Sequence, residues 1–163
     1  MSLEDSDRQF LGDIQIPDSQ NDGIQALMTP HLAKGRELQK RGLLREAIEE
    51  YAKEHERPIR SHIDADIVQG SYWFEGRAYR ALGEIEKAIV ALQKSNELLK
   101  LYGVGASPHE DLAEIFILQG RFDEAIGVCR EYLDETPAWS IQQLLNKAIK
   151  LKEEARNQED QTN

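Results

Sequence analysis

One seven-residue pattern is written three times in this chain, and it constrains the fold more than any other feature. "GLLREAI" begins at Gly42, "GEIEKAI" at Gly83 and "GRFDEAI" at Gly120, each of the form Gly-x-x-x-x-Ala-Ile. The glycines lie 41 and 37 residues apart. Self-similarity at a period of roughly 20–50 residues is the mark of a repeat architecture. On both sides of each glycine the apolar residues recur at helical spacing. Tyr72, Gly76, Tyr79 and Leu82 precede Gly83, and Ile85, Ala88, Ile89, Leu92, Leu99 and Tyr102 follow it. Glycine takes the left-handed backbone at a helix end without cost, so each unit is expected to be helix, tight turn, helix.

The small residues have a place in this scheme. Gly35, Gly76 and Ala113 stand seven positions before the turn glycines, and Ala47, Ala88 and Ala125 five positions after them. Antiparallel helices that cross closely need small side chains where their axes meet. The expected helices are 29–41 with 43–57, 64–82 with 84–102, and 108–119 with 121–135. A last helix over 138–157, apolar on one face through Ile141, Leu144, Leu145 and Ala148, suits an open stack that needs a covered end. Pro58 and Pro137 close the first and third hairpins.

These residues resemble tetratricopeptide repeats over about residues 29–137. The second unit offers Tyr72, Gly76, Tyr79, Gly83, Ile85 and Ala88. The third offers Ala113, Phe116, Gly120, Phe122, Ala125 and Pro137, and the first Gly35, Leu38, Gly42, Leu44, Ala47 and Tyr51. The spacings exceed the family's 34 residues, the third unit has His109 where the family has an early aromatic, and the first has Lys34 before its small residue. The resemblance implies an all-α, right-handed α-solenoid. It divides the chain into repeats at about 29–63, 64–105 and 106–137 and a capping helix at 138–157. An acidic, disordered segment is expected over 1–28 and a disordered tail over 158–163.

The resemblance also implies a concave surface lined by the first helix of each repeat. Carried over residue by residue, it comprises Leu32, Arg36, Gln39 and Lys40, then Trp73, Arg77, Arg80 and Ala81, then Glu110, Glu114, Ile117 and Leu118. Arg36, Lys40, Arg77 and Arg80 would form a basic patch beside Trp73, unless the arginines pair with the third repeat's acids. Some family members clamp the acidic tail of heat-shock chaperones with Lys, Asn and Arg. The matching positions here are Leu32, Arg36, Phe74, Ser107 and Asp111, of which only Arg36 is basic, so that function is not expected.

Chemistry is not legible elsewhere. "GVGASP" fails the dinucleotide fingerprint and follows no expected strand. His31, His55, His62 and His109 are scattered, and no metal or cofactor is expected. Cys129 is the single cysteine, which excludes an internal disulfide and reads as a buried small hydrophobe in a reducing, cytoplasmic compartment. The formal net charge is -10, which argues against nucleic-acid binding. No run of about 18 apolar residues is present, so no membrane span is expected.

The expected function is therefore that of a non-enzymatic module or scaffold docking a peptide or helix of another protein, possibly an acidic one, in the groove. A secretion chaperone of the class II type III kind and a regulatory subunit of an enzyme encoded elsewhere are the alternatives. Residues 9–18, with Phe10, Leu11, Ile14 and Ile16 among acids, either form part of the disordered N-terminal segment with no role or bind transiently in the molecule's own groove or on a neighbouring copy.

Overall fold

The computed structural model describes residues 28–162. The expectations for the N-terminal segment, including the docking of residues 9–18, lie outside the described residues. Among these residues seven helices follow in order: α1 (Pro30–Lys40), α2 (Leu44–Ala52), α3 (His62–Leu82), α4 (Ile85–Tyr102), α5 (His109–Leu118), α6 (Phe122–Leu133) and α7 (Trp139–Thr162). Among the described residues there is no strand. The helices pair as α1–α2, α3–α4 and α5–α6, and each pair packs on the next, with α7 covering the free side of α5 and α6.

The three turns are built alike. Gly42, Gly83 and Gly120 have φ of 76°, 78° and 70°, a conformation that L side chains resist. In each turn the glycine N–H bonds the carbonyl three residues back, and the following N–H reaches five back: Leu43 to Leu38, Glu84 to Tyr79, Arg121 to Phe116, at 2.8–3.0 Å. This double bond pattern ends the helix by satisfying its last carbonyls. The returning helix then starts at once, at Leu44, Ile85 or Phe122, with no side-chain cap.

Close packing follows from the small residues, one step away from where the sequence pointed. A Cβ on Gly35 would sit 2.4 Å from the Tyr51 ring, and one on Gly76 2.6 Å from Leu92 Cγ and 3.2 Å from the Ala88 carbonyl. The large residues that fill the gap are thus Tyr51 and Leu92, each one turn beyond the repeated alanine. In the third repeat the same position is Cys129, a smaller side chain, and there Ala113 replaces the glycine; both are fully buried. Ala47, Ala88 and Ala125 are likewise without exposed surface. Burial pushes the Cys129 thiol up to about 11, so it is neutral packing material rather than a nucleophile.

Two apolar clusters form the core. Leu32, Ala47, Ile48, Tyr51, Ile67, Phe74 and Ala78 join α1, α2 and α3; the second cluster joins α4 through α7 around Leu92, Leu112, Phe116 and Leu145. Trp73 and Tyr79 of α3 pack against both. Met28, assigned to the N-terminal segment by sequence, also packs on the first cluster.

Two boundaries differ from expectation. α2 stops at Ala52 rather than 57, because the chain tightens into consecutive turns bonded three residues back. There the buried Glu54 accepts from Thr29 Oγ1 and Arg57 Nε, and Pro58 disfavours helix in the residue before it. α7 runs to Thr162, so residues 158–162 extend the capping helix where a disordered tail was expected. No proline or glycine interrupts it, and Lys150 pairs with Glu154 one turn on.

Two polar anchors set how the repeats sit on one another. Gln69 of α3, fully buried, donates to Ser95 Oγ (2.7 Å) and to the Ala106 carbonyl (2.5 Å), and accepts from the Ala106 N–H (3.1 Å). This ties the 103–107 loop onto α3. Gly105, with φ of 112°, leaves the Gln69 amide its space. Glu131 of α6 accepts from Asn96 (2.9 Å) and His109 (3.0 Å) and pairs with Lys100 (2.9 Å). Burial alone would raise its pKa, but these three partners outweigh burial and hold it at about 2, from an ordinary 4.5.

Two outcomes are expected. Gly76→Ala should cost about 1–3 kcal/mol in urea unfolding through overpacking against Leu92; an unchanged midpoint would show that α3 and α4 separate freely. Glu131 has a folded pKa below its unfolded value, so its contribution is complete above pH 4.5 and is lost as pH falls toward 2. Glu131→Gln should therefore flatten the loss of stability over that acid window, measured by denaturant unfolding at several pH values.

Candidate concave site

The residues expected to line the groove do not all reach it. Leu32 is fully buried in the α1–α2–α3 cluster and is withdrawn as a contact residue. It lies one turn before Gly35 and Arg36, on the side of α1 that α2 and α3 cover. Ile117, 7% exposed, is core as well. Gln39 remains half-buried and accepts a hydrogen bond from the Tyr51 hydroxyl (2.7 Å), which fixes its carbonyl end inward. Arg36 lies with its guanidinium 5.3 Å from the Phe74 ring centre, so the first repeat's base rests on the second repeat's core. Lys40 is exposed at the end of α1.

The second and third repeats bring their residues together closely. Trp73 Nε1 donates to Asp111 Oδ2 (2.9 Å). Arg77 stacks on the Trp73 ring, its guanidinium carbon 4.8 Å from the ring centre, and its Nε lies 3.6 Å from Asp111 Oδ1. Arg80 donates to Glu114 Oε2 (2.8 Å) and reaches Asp111 Oδ1 at 3.7 Å. These residues fall three and four apart on α3 and on α5, so each set shares one helical face. The network runs across the α3–α5 junction, from Trp73 at one end to Glu114 at the other.

This arrangement corrects the basic patch. Arg77 and Arg80 face Asp111 and Glu114, so the charges at the centre of the groove cancel. The pairs are partly exposed; Arg80 and Glu114 retain 30% and 39% of their side-chain surface, which limits such a contact to about 0.2–1 kcal/mol. The bond from Trp73 counts for more in geometry, because it fixes the orientation of an indole at the mouth of the groove. Glu110 stands exposed at the start of α5, 3.4 Å from Ser140 Oγ of α7, and extends the groove toward the cap. Asp111 is the hub that sequence reasoning missed. It appeared only as a clamp position of the wrong charge; its spacing of three residues from Glu114, on one helix face, was the available signal.

Among the described residues no group of three or more His, Cys, Asp or Glu side chains is placed to hold a metal ion, and no helix is long and apolar enough to cross a membrane.

Comparison with known proteins agrees with the helical repeat fold. Residues 70–98, the end of α3 and most of α4, match the tetratricopeptide repeat family model. The crystal structure of MamA superposes with a TM-score of 0.54 at 22% identity, covering 99% of this chain and 97% of that one. Residues 70–98 thus match a tetratricopeptide repeat, and the chain as a whole shares the helical repeat fold of MamA. A search of curated proteins found no significant relative. The matched segment is the repeat in which the aromatic, small-residue and glycine positions are all filled.

Asp111→Ala is expected to leave the fold intact, cost about 1 kcal/mol through the lost indole and guanidinium partners, and red-shift Trp73 emission. The shift is read in a Trp139→Phe background, since Trp139 is 79% exposed. Unaltered emission would mean that Asp111 does not orient the indole.

Proposed function

We propose that this protein is a non-enzymatic docking module that holds a peptide or helix of a partner protein in the groove formed by α1, α3 and α5. The reading rests on Trp73. A half-buried indole, fixed by Asp111 and covered on one face by Arg77, is the type of rigid aromatic–arginine anchor that dominates interface energetics. Because it is held in place beforehand, little rotamer freedom is lost when a partner binds.

The contact set is Arg36, Gln39, Lys40, Trp73, Arg77, Arg80, Glu110 and Glu114, without Leu32. Its charge is graded. The α1 end carries Arg36 and Lys40, while the α3–α5 junction is internally neutralised and the α7 side carries Glu110. A partner segment with an apolar residue at Trp73 and its acidic end toward α1 fits that grading. A carboxylate placed at Arg77 or Arg80 would have to displace Asp111 or Glu114.

A photo-crosslinking residue at Lys40 should capture the same partner, in an extract of the native host, as one at Glu110. With that partner purified, Trp73→Ala should weaken binding by about 2 kcal/mol or more, measured at a temperature where circular dichroism shows the variant folded, since the indole also packs on both apolar clusters. Undiminished binding by Trp73→Ala, with capture only from positions outside this groove, would place the partner elsewhere.

A further inference from the structure

A second concavity lies on the other side of α3. It measures about 580 Å³ and sits between the end of α2 and the helix α4, with α3 as its floor. Tyr72, Glu75 and Tyr79 project into it from α3, three and four residues apart. His55 closes one end, and Val90, 65% exposed, stands at the mouth.

The charge in this pocket is unusual. Glu75 is only 8% exposed. The group at ion-pair distance from it is His55, whose Nε2 is 3.0 Å from Glu75 Oε2. That approach is off the line of a hydrogen bond, and the same Nε2 is buried without a hydrogen-bond partner. The ring is held instead by stacking on Tyr72, with centroids 3.8 Å apart and planes 9° from parallel. The lysines at the rim are engaged elsewhere: Lys87 with Glu84 (2.8 Å) and Lys94 with Glu97 (3.3 Å). Glu86 pairs outward with Arg121. Burial raises the pKa of both tyrosines; Lys94 opposes that rise at Tyr72 and Lys87 at Tyr79, while the charge of Glu75 adds to it at both, so the carboxylate and the rim lysines all lie within electrostatic reach of the phenols. Lys87, bonded to Glu84, also rests over the Tyr79 ring at 5.5 Å, which shows that this ring can take a cation on its face.

We propose that this concavity is a second binding site, on the face away from the groove, that receives an arginine side chain from a partner peptide. The arginine stem lies between Tyr72 and Tyr79, and its guanidinium meets Glu75 at the floor. Arginine suits the site better than lysine because a planar, weakly hydrated guanidinium stacks on aromatic rings and hydrogen-bonds a carboxylate through two donors. An aliphatic neighbour in the partner would cover Val90.

The test uses the full chain, labelled with nitrogen-15, and two blocked amino acids of the same shape, N-acetyl-argininamide and the uncharged N-acetyl-citrullinamide. The arginine compound should give saturable shifts at Tyr72, Tyr79 and Val90, and the citrulline compound should bind at least about tenfold more weakly, the loss of one charge-assisted contact. Glu75→Gln should remove the difference between the two. Should Glu75→Gln fail to fold, Val90→Lys, a change at an exposed position, should weaken the arginine compound alone by placing a second cation at the mouth. The proposal is overturned by equal binding of the two compounds, by arginine shifts scattered over the acidic surface, by no shifts at the pocket, or by a folded Val90→Lys protein that binds arginine as well as wild type.

Discussion

The whole architecture depends on how closely α3 and α4 approach at Gly76. The missing Cβ there is filled by Leu92, and any side chain would also press on the Ala88 carbonyl. Packed helices adjust their separation only by changing side-chain volume at the contact. The three hairpins solve this in different ways: glycine against tyrosine, glycine against leucine, and Ala113 with Cys129 filling the same two positions. The filling side chain shrinks from Tyr51 to Leu92 to Cys129, and only in the third hairpin does Ala113 offset part of that loss.

The central pair also explains why the molecule is one stack rather than two halves. The apolar clusters on either side of it are distinct, and Trp73 and Tyr79 are packed against both. Side chains that serve the core with one edge and the surface with the other are well suited to binding, since their positions are fixed whether or not a ligand is present. The Trp73–Asp111 and Arg80–Glu114 contacts add orientation at little cost in charge, because the acids come from α5 and the bases from α3. Neutrality at the α3–α5 junction would leave shape and aromatic contact to set specificity in the proposed groove.

Much of the fold was legible because it rests on local chemistry. Gly42, Gly83 and Gly120 announce left-handed backbone, and the alanines five residues on announce burial; neither inference needs knowledge of distant parts of the chain. The helix α7 was read from a one-sided apolar stripe. What could not be read depends on contacts between residues far apart in sequence. Gln69 looks like any helix-surface glutamine until the loop at Ala106 folds back on it. Asp111 looks like a solvated acid until α5 is set beside Trp73. Leu32 was misplaced because a position carried over from a family pattern assumes a helix rotation, and in this chain α1 turns that residue toward Tyr51 and Ile48. The stop of α2 at Ala52 was hidden for the same reason: Glu54 is held by Thr29, 25 residues earlier.

The two candidate sites share one helix, and helix geometry decides how they relate. Adjacent residues on α3 point about 100° apart, so Trp73, Arg77 and Arg80 face one side while Tyr72, Glu75 and Tyr79 face another. Between them lies Gly76, buried against α4. A ligand on either face therefore presses on a helix that is seated where it has no room to move toward α4. Rotating α3 to suit one ligand would drive Gly76 backbone or its neighbours into Leu92, a displacement that a close-packed interior resists. The arrangement favours two independent contacts on a rigid support over a switch that trades one for the other. A partner protein long enough to reach round the stack would then gain from both sites by effective concentration alone, without any conformational coupling between them.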